Sequence, residues 1–227
     1  MVSSENRRIR IDRAKLLARK YPESAHLLEL FIQVTLLQDE IAANLQPDVR
    51  KLARYVPRLR VLAPNISCPP LTEDFFLSEP SSDEGRFYWR VLMQPYAERF
   101  RKPPGVGAGS TCPSCGSKPV VGVLRGEGDG AKRSLVCHLC ASEWPYRRLI
   151  CPNCGEEDKE KLPVYVAAQI DHIRVEACDT CRAYLKSVDL TKDGFAVPDV
   201  EEIATVALSL WAEEHGYAKI ETNVLGM

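Results

Sequence analysis

The sequence has no run of about 18 or more apolar residues, which excludes a helix that spans a membrane. It also lacks an excess of either charge, since 30 Lys and Arg residues stand against 31 Asp and Glu residues. The net charge of −1 gives no reason to expect a nucleic-acid-binding or membrane-surface protein. No apolar stretch of signal length follows Arg7 and Arg8, so we expect no export signal and a cytoplasmic location.

Catalytic patterns are also missing. No Ser-His-Asp array, phosphate-binding loop or carboxylate pair stands out, so we do not expect an enzyme. Glu143 and Glu176 are near cysteine pairs, where hydrogen bonding or solvation explains them as well as catalysis would. His172 and His215 are expected to be surface or capping residues.

Cysteine is the residue that the chain has in quantity. Eight of the nine cysteines form four Cys-x-x-Cys pairs: Cys112/Cys115, Cys137/Cys140, Cys151/Cys154 and Cys178/Cys181. The ninth, Cys68, is expected to be a small buried hydrophobic residue. Because a reducing compartment keeps thiols free, spaced pairs there indicate ligands or catalytic thiols rather than disulfides.

The four pairs alternate between two types. Those that begin at Cys112 and Cys151 read C-P-x-C-G, whereas those that begin at Cys137 and Cys178 lack both the proline and the glycine. This order indicates a repeat of two units. Sequential pairing then predicts two four-cysteine sites: Cys112, Cys115, Cys137 and Cys140 in the first, and Cys151, Cys154, Cys178 and Cys181 in the second. Interleaved pairing is the alternative.

Each Cys-x-x-Cys pair is expected to form a tight turn, and two of these turns can hold one metal ion. Each presents two thiolates from one side, and the glycine after the second cysteine permits a positive φ, which turns backbone N–H groups toward the sulfurs. Two turns together give a tetrahedral site with four thiolates, which suits zinc and also a single rubredoxin-type iron. We therefore expect two metal ions per chain, iron or zinc, that supply part of the folding free energy.

Three other functions of paired cysteines have sequence requirements of their own. A thioredoxin-like dithiol needs one Cys-x-x-Cys at the start of a helix, whereas here four pairs lie among short strands. A nucleic-acid-binding zinc ribbon needs a basic stripe, but residues 111–190 contain 11 Lys and Arg against 11 Asp and Glu. A rubredoxin-like electron carrier would leave the helical half of the chain without a purpose. Both the ribbon and the carrier are kept as alternatives.

The pattern along the chain predicts an α+β protein. Apolar residues at helical spacing in 22–45 indicate a long helix, and shorter helices are expected at 49–56, ended by Pro57, and at 71–77. A helix over 81–101 should be kinked or broken at Pro95, and another is expected over 198–217. The predicted parts are a helical domain (1–101), a linker (102–110), two rubredoxin-like, zinc-ribbon-like modules (111–148 and 149–190), and a C-terminal helix and tail (191–227).

Several of these motifs resemble the formate dehydrogenase accessory protein family, FdhE. They are CPSCGSKPVVG, CHLCASEWPYRRLICPNCG, EACDTCRAYLKSVD and the tail EEHGYAKIETNVLGM, within about residues 110–227. The helical half shows little that matches the family. The resemblance implies a cytoplasmic, non-enzymatic maturation factor with two rubredoxin-like modules, each able to bind iron. It also implies binding to the catalytic subunit of a molybdenum or tungsten formate dehydrogenase.

The resemblance includes Glu143, Trp144 and Arg148, which precede Cys151 at the end of the first module. One interpretation is that they form part of the surface that binds the client enzyme. The other is that Trp144 packs under the first cysteine turn while Glu143 pairs with Arg148.

Overall fold

The computed structural model describes residues 4–103, 109–128 and 130–227. Most of the predicted linker, 102–110, therefore lies outside the described residues. The chain divides into two compact units, one formed by Met1–Arg101 with Val224–Met227 and the other by Lys102–Asn223. The first unit is helical and the second contains a sheet, which confirms the α+β class.

Five α-helices build the described part of the first unit. They are α1 (Ser4–Lys20), α2 (Ala25–Ala43), α3 (Val56–Leu62), α4 (Glu73–Leu77) and α5 (Asp83–Phe100), with 3₁₀ turns at Pro22–Ser24 and Val49–Tyr55. Helix α2 packs against α1 and α5 and buries the residues that its spacing predicted, among them Phe31, Val34, Leu37 and Ile41. Helix α1 was not predicted as a separate helix because its polar sequence buries few side chains, namely Arg7, Ala14 and Leu17.

Pro57 behaves differently from the expectation, and Pro95 does not break its helix. Pro57 does not end a helix but lies in the first turn of α3, where its missing N–H would have had no helical partner. Pro95 lies within α5, which continues to Phe100. The carbonyl that Pro95 leaves without an i,i+4 donor is that of Val91, and Gln38 Nε2 of α2 donates to it at 3.3 Å. A side chain from another helix therefore replaces the lost backbone bond.

Seven strands among the described residues form one sheet in the second unit. They are β1 (Pro119–Glu127), β2 (Gly130–Cys137), β3 (Glu143–Pro145), β4 (Val164–Val166), β5 (Ile173–Ala177), β6 (Ala183–Asp189) and β7 (Ala218–Lys219). Their order is β3-β2-β1-β6-β5-β4, and β7 pairs with β6. Strands β1 to β3 belong to the first cysteine module and β4 to β6 to the second.

The parallel pair β1–β6 joins the two modules, with Gly122 opposite Ser187 and Leu124 opposite Asp189. A Cβ at Gly122 would collide with Ser187 Oγ, so glycine is what permits this close approach. Strand β6 is buried along its whole length and was not predicted as a strand.

The predicted C-terminal helix over 198–217 is two helices, α6 (Pro198–Ala204) and α7 (Val206–Glu214). Helix α6 contacts β1 and β6, so it covers the strand pair that joins the modules. Gly216, with φ 76°, follows the end of α7, as the sequence predicted. No helix in the described ranges is long and apolar enough to cross a membrane.

Candidate metal centres

The first cysteine cluster is built from the two ends of one hairpin. Cys112 and Cys115 lie on the turn before β1, and Cys137 ends β2, with Cys140 on the turn after it. The Sγ atoms of Cys115 and Cys137 are 3.4 Å apart, and those of Cys112 and Cys140 are 3.6 Å apart. All four Sγ atoms lie within 4.8 Å of one another.

The second cluster repeats this arrangement with β5 and β6. Cys178 follows β5, Cys181 precedes β6, and Cys151 and Cys154 lie on a turn earlier in the module. The Sγ distances are 3.7 Å for Cys151–Cys181 and 3.7 Å for Cys154–Cys178. The four Sγ atoms again lie within 4.8 Å of one another, so the cysteines group in sequential order, as predicted.

Backbone hydrogen bonds shape all four cysteine turns in the same way. The N–H of the first cysteine donates to the carbonyl five residues later: Cys112 to Ser117 (2.8 Å), Cys137 to Ser142 (2.9 Å), Cys151 to Glu156 (2.9 Å) and Cys178 to Ala183 (2.9 Å). The four turns thus share one geometry although two of them lack the proline and the glycine.

That geometry requires a positive φ after the second cysteine. Gly116 and Gly155 both have φ 79°, as the C-P-x-C-G pattern predicted. The two plain turns place Ala141 at φ 52° and Arg182 at φ 55°, which the sequence did not indicate. A side chain in this region costs free energy, so the clusters retain two strained residues.

The turns also direct N–H groups at the sulfurs. Ser114 N–H donates to Cys112 Sγ at 3.4 Å, Leu139 N–H to Cys137 Sγ at 3.4 Å, and Asn153 N–H to Cys151 Sγ at 3.4 Å. The side-chain amide of Asn153 donates to Cys181 Sγ at 3.5 Å. These donors favour the thiolate form, which is the form that binds metal.

Contacts among the thiols move their pKa values apart. The hydrogen bond with Cys137 lowers the pKa of Cys112 to about 6, whereas hydrogen bonds from Cys112 and Cys115 raise the pKa of Cys137. In the second cluster, burial raises the pKa of Cys151 to about 12. Metal binding requires the thiolate form of each ligand, so it would release the protons that these thiols hold.

The clusters fit a tetrahedral ion. Zn–S bonds of about 2.3 Å place tetrahedral sulfurs about 3.8 Å apart, close to the 3.4–3.7 Å of the nearest pairs. Both clusters could therefore bind metal ions, and four thiolates suit either zinc or iron. Each cluster contains one exposed cysteine residue, Cys115 in the first and Cys154 in the second.

The three residues at the end of the first module, Glu143, Trp144 and Arg148, occupy different environments. Trp144 is 2% exposed, and its Nε1 donates to the Gly109 carbonyl at 3.0 Å. Glu143 is exposed and pairs with Arg125 rather than with Arg148. Arg148 is exposed, and its Nη1 donates to the Ala131 carbonyl at 3.5 Å. Glu143 and Arg148 are thus at the surface, whereas Trp144 is buried.

A third group of metal-ligand side chains was missed by the sequence reasoning. His172 is not a surface residue but is 6% exposed, and its Nε2 is 3.2 Å from Glu201 Oε2. Asp193 completes a set of three whose ligand atoms lie within 4.8 Å of one another. The three residues share no motif and meet only in the folded chain, so spacing could not have identified them.

Comparison with known proteins identifies the same family, FdhE, by family models and by individual relatives. The family model described as FdhE, central domain, matches residues 111–148, and the model described as FdhE, C-terminal domain, matches residues 149–225. An FdhE homologue from Aquifex aeolicus is 38% identical over 162 residues, which cover 69% of this chain and 57% of that protein. One from Haemophilus influenzae (strain PittGG) is 31% identical over 67% of this chain and 52% of that protein.

The fold is similar to the crystal structure of the FdhE protein from Pseudomonas aeruginosa. The TM-score is 0.68 at 22% identity, over 96% of this chain and 94% of that one. The similarity in fold extends through the helical half, whereas the two family models match residues 111–148 and 149–225. The chain spans about half the length of the curated relatives it matches.

Proposed function

The chain belongs to the FdhE family, and from this premise we propose that it is a maturation factor for a formate dehydrogenase. In this proposal it acts in the cytoplasm, binds the catalytic subunit of that enzyme and is not itself an enzyme. Each four-cysteine cluster holds one metal ion, iron or zinc.

The observation that carries the proposal is the pair of four-thiol clusters within the FdhE domains. A bound ion would fasten the turns on which strands β1, β2, β5 and β6 begin or end, and iron would in addition supply a one-electron couple. The residues of the chain hold the thiolates in place through the turn hydrogen bonds and the N–H donors described above. Metal loading is thereby coupled to the shape of the sheet.

For the client surface we propose Glu143 and Arg148, with Trp144 as the residue that positions them. The exposure of the two charged side chains, at the passage from one module to the next, supports this role. Because Trp144 is buried against the Gly109 carbonyl, we expect its substitution to act through folding rather than through direct contact.

The test is co-purification of the full chain with a formate dehydrogenase catalytic subunit, together with the activity recovered by cells in which this chain is the sole FdhE protein. Cys112→Ser and Cys151→Ser should each reduce both readouts, and Arg148→Ala should reduce co-purification at unchanged metal content. Cys68→Ser, outside both clusters, is the matched control and should change neither. Unchanged binding and activation by folded cluster variants would rule out a direct role for the metal.

Exposure of Cys115 and Cys154 favours one alternative, a rubredoxin-like electron carrier, because an exposed ligand residue shortens the path to a redox partner. A reversible one-electron couple in a chain that forms no complex with the catalytic subunit would support the carrier. Salt-sensitive binding to DNA or RNA would instead support a nucleic-acid-binding zinc ribbon.

A further inference from the structure

The cluster of His172, Asp193 and Glu201 contains no cysteine and forms around the connection between β6 and α6. His172 directly precedes β5, Asp193 follows β6, and Glu201 is on α6. The first two are joined through Asp189, whose N–H donates to the His172 carbonyl at 2.8 Å and whose carbonyl accepts from Asp193 N–H at 3.3 Å. Three separate segments therefore converge on one point.

The side chains are buried where they meet. The Glu201 side chain is 0% exposed and that of His172 is 7% exposed, while Asp193 is half-buried. A carboxylate removed from water costs free energy unless it is paired or bound to a cation. The burial of Glu201 against an imidazole and near a second carboxylate is thus an arrangement that a cation would stabilise.

The distances fit a metal ion after a modest movement of the side chains. In a tetrahedral site, metal–ligand bonds of about 2.0–2.2 Å place two ligand atoms about 3.3–3.6 Å apart. His172 Nε2 and Glu201 Oε2 are already 3.2 Å apart, a spacing that suits two neighbouring ligands of one ion. Since all three ligand atoms lie within 4.8 Å of one another, closure on a tetrahedral ion shortens their separations by no more than about 1.5 Å.

The donor set differs from that of the cysteine clusters. Its ligand atoms are one imidazole nitrogen and two carboxylate oxygens, with no thiolate. Such a site favours a borderline divalent ion, whereas the four thiolates of each cysteine cluster favour a softer one. Three protein ligands are also the number found in zinc sites that keep a fourth position for water.

We propose that His172, Asp193 and Glu201 form a third metal site, for a divalent ion such as Zn²⁺. The ion fastens the segment between β6 and α6 to the start of β5. A hydrogen-bonded His172–Glu201 pair without metal is the competing explanation, in which Asp193 Oδ1 accepts from the Phe195 N–H at 2.9 Å and binds no ion.

Substitution of Asp193 therefore distinguishes the metal site from the metal-free His172–Glu201 pair. We would prepare the full chain with both cysteine clusters filled with Zn²⁺ and titrate it with further Zn²⁺ by calorimetry. The wild-type chain should bind a third equivalent, and the NMR signals of the His172 imidazole should shift as it binds. Asp193→Asn and Glu201→Gln should each weaken this third binding at least tenfold while the two thiolate-bound ions remain.

Asp171→Asn is the matched control, since Asp171 adjoins His172 in sequence but its exposed carboxylate pairs with Lys192. It should leave the third equivalent intact. If His172→Gln does not fold, the conservative Asp193→Asn variant at a half-buried position still provides the test. A wild-type chain that binds only two equivalents, or a third equivalent that survives both Asp193→Asn and Glu201→Gln, would overturn the proposal.

Discussion

Arg133 of β2 and Glu176 of β5 form an ion pair of 2.6 Å that connects the two cysteine modules. The arginine side chain is 2% exposed and the glutamate side chain 17% exposed. Arg133 Nη1 also donates to the carbonyls of Arg147 and Ile150, at the passage from the first module to the second. One buried guanidinium thus contacts both repeats and the segment between them.

Loss of this pair should destabilise the sheet strongly. Removing one partner of a buried ion pair leaves an uncompensated charge and costs about 3–5 kcal/mol. We expect Arg133→Gln to lower the free energy of unfolding by an amount near this range, measured by denaturant unfolding of the metal-loaded chain. Arg125→Gln, which breaks the more exposed pair with Glu143, is the control and should cost less than about 1 kcal/mol. Equal effects of the two substitutions would contradict a joining role for Arg133.

Gln38 and Pro95 offer a second, independent test in the helical unit. Because Gln38 Nε2 donates to the Val91 carbonyl that Pro95 leaves unpaired, Gln38→Leu should cost about 1–3 kcal/mol, the usual cost of an unsatisfied buried acceptor. In a Pro95→Ala background the backbone N–H of Ala is restored and can donate to Val91, so Gln38→Leu should cost less. A double-mutant cycle that shows simple additivity would exclude this compensation.

The residues at positive φ predict opposite effects for two simple substitutions. Gly116→Ala meets no atom within 4 Å, so its cost comes from the backbone alone, about 1–2 kcal/mol. Ala141→Gly relieves the same strain in the plain turn and should be neutral or stabilising. Metal affinity, measured by competition with a chelator, should change in the same directions.

Gly128, in the β1–β2 hairpin away from the sulfurs, has φ 56° and also meets no atom within 4 Å. Gly128→Ala is therefore the matched control, expected to lower stability while it leaves chelator competition unchanged. A fall in metal affinity equal to that of Gly116→Ala would mean that the turn geometry has no special connection to metal binding.

These sites also show what the sequence could predict. The eight cysteines and their grouping were accessible because Cys-x-x-Cys spacing is local and alternates in type along the chain. The positive φ at Gly116 could be predicted because glycine adopts it without strain. The same conformation at Ala141 and Arg182 could not be predicted, because neither alanine nor arginine favours it. There the hydrogen bonds of the turn determine the conformation.

Other features depend on residues far apart in the chain. Strand β6 contains Lys186, a residue type that is usually at the surface. It is buried here because Glu202, sixteen positions later, pairs with it at 3.0 Å. His172 is buried for the same kind of reason, because Glu201 reaches it from α6. Pro95 remains in a helix because Gln38 compensates for it. In each case the partner was supplied by tertiary structure, which periodicity and propensity do not contain.

Metal removal should unfold the two units in a fixed order. The helical unit has an apolar core that includes Leu28, Val34 and Leu37, whereas the sheet begins and ends its strands at cysteine turns. A chelator should therefore abolish hydrogen-exchange protection in β1 and β6 before α2 loses it. Lower pH should assist the chelator, because protons compete for thiolates such as Cys151, whose pKa burial raises to about 12. Simultaneous loss of protection in α2 and β6 would contradict this order.

The buried group of Lys186, Glu202 and Lys219 predicts two separate effects of pH on stability. Although burial opposes its ionisation, the neighbouring lysines lower the pKa of Glu202 from 4.5 to about 2. Its contribution is therefore complete above pH 4.5 and is lost as the pH falls to about 2. Burial lowers the pKa of Lys186 from 10.5 to about 8. Since the unfolded chain then binds the proton more tightly, stability should rise between pH 8 and 10.5.

Denaturant unfolding of the metal-loaded chain as a function of pH tests both effects. Glu202→Gln should remove the acidic decline assigned to Glu202 and, because it takes away the charge that holds the Lys186 proton, should start the alkaline rise at a lower pH. Lys186→Met should abolish that rise. Asp171→Asn, which breaks an exposed pair with Lys192, is the control and should leave both limbs of the profile unchanged. An alkaline rise that persists in Lys186→Met would assign the proton to another group and exclude Lys186 as its source.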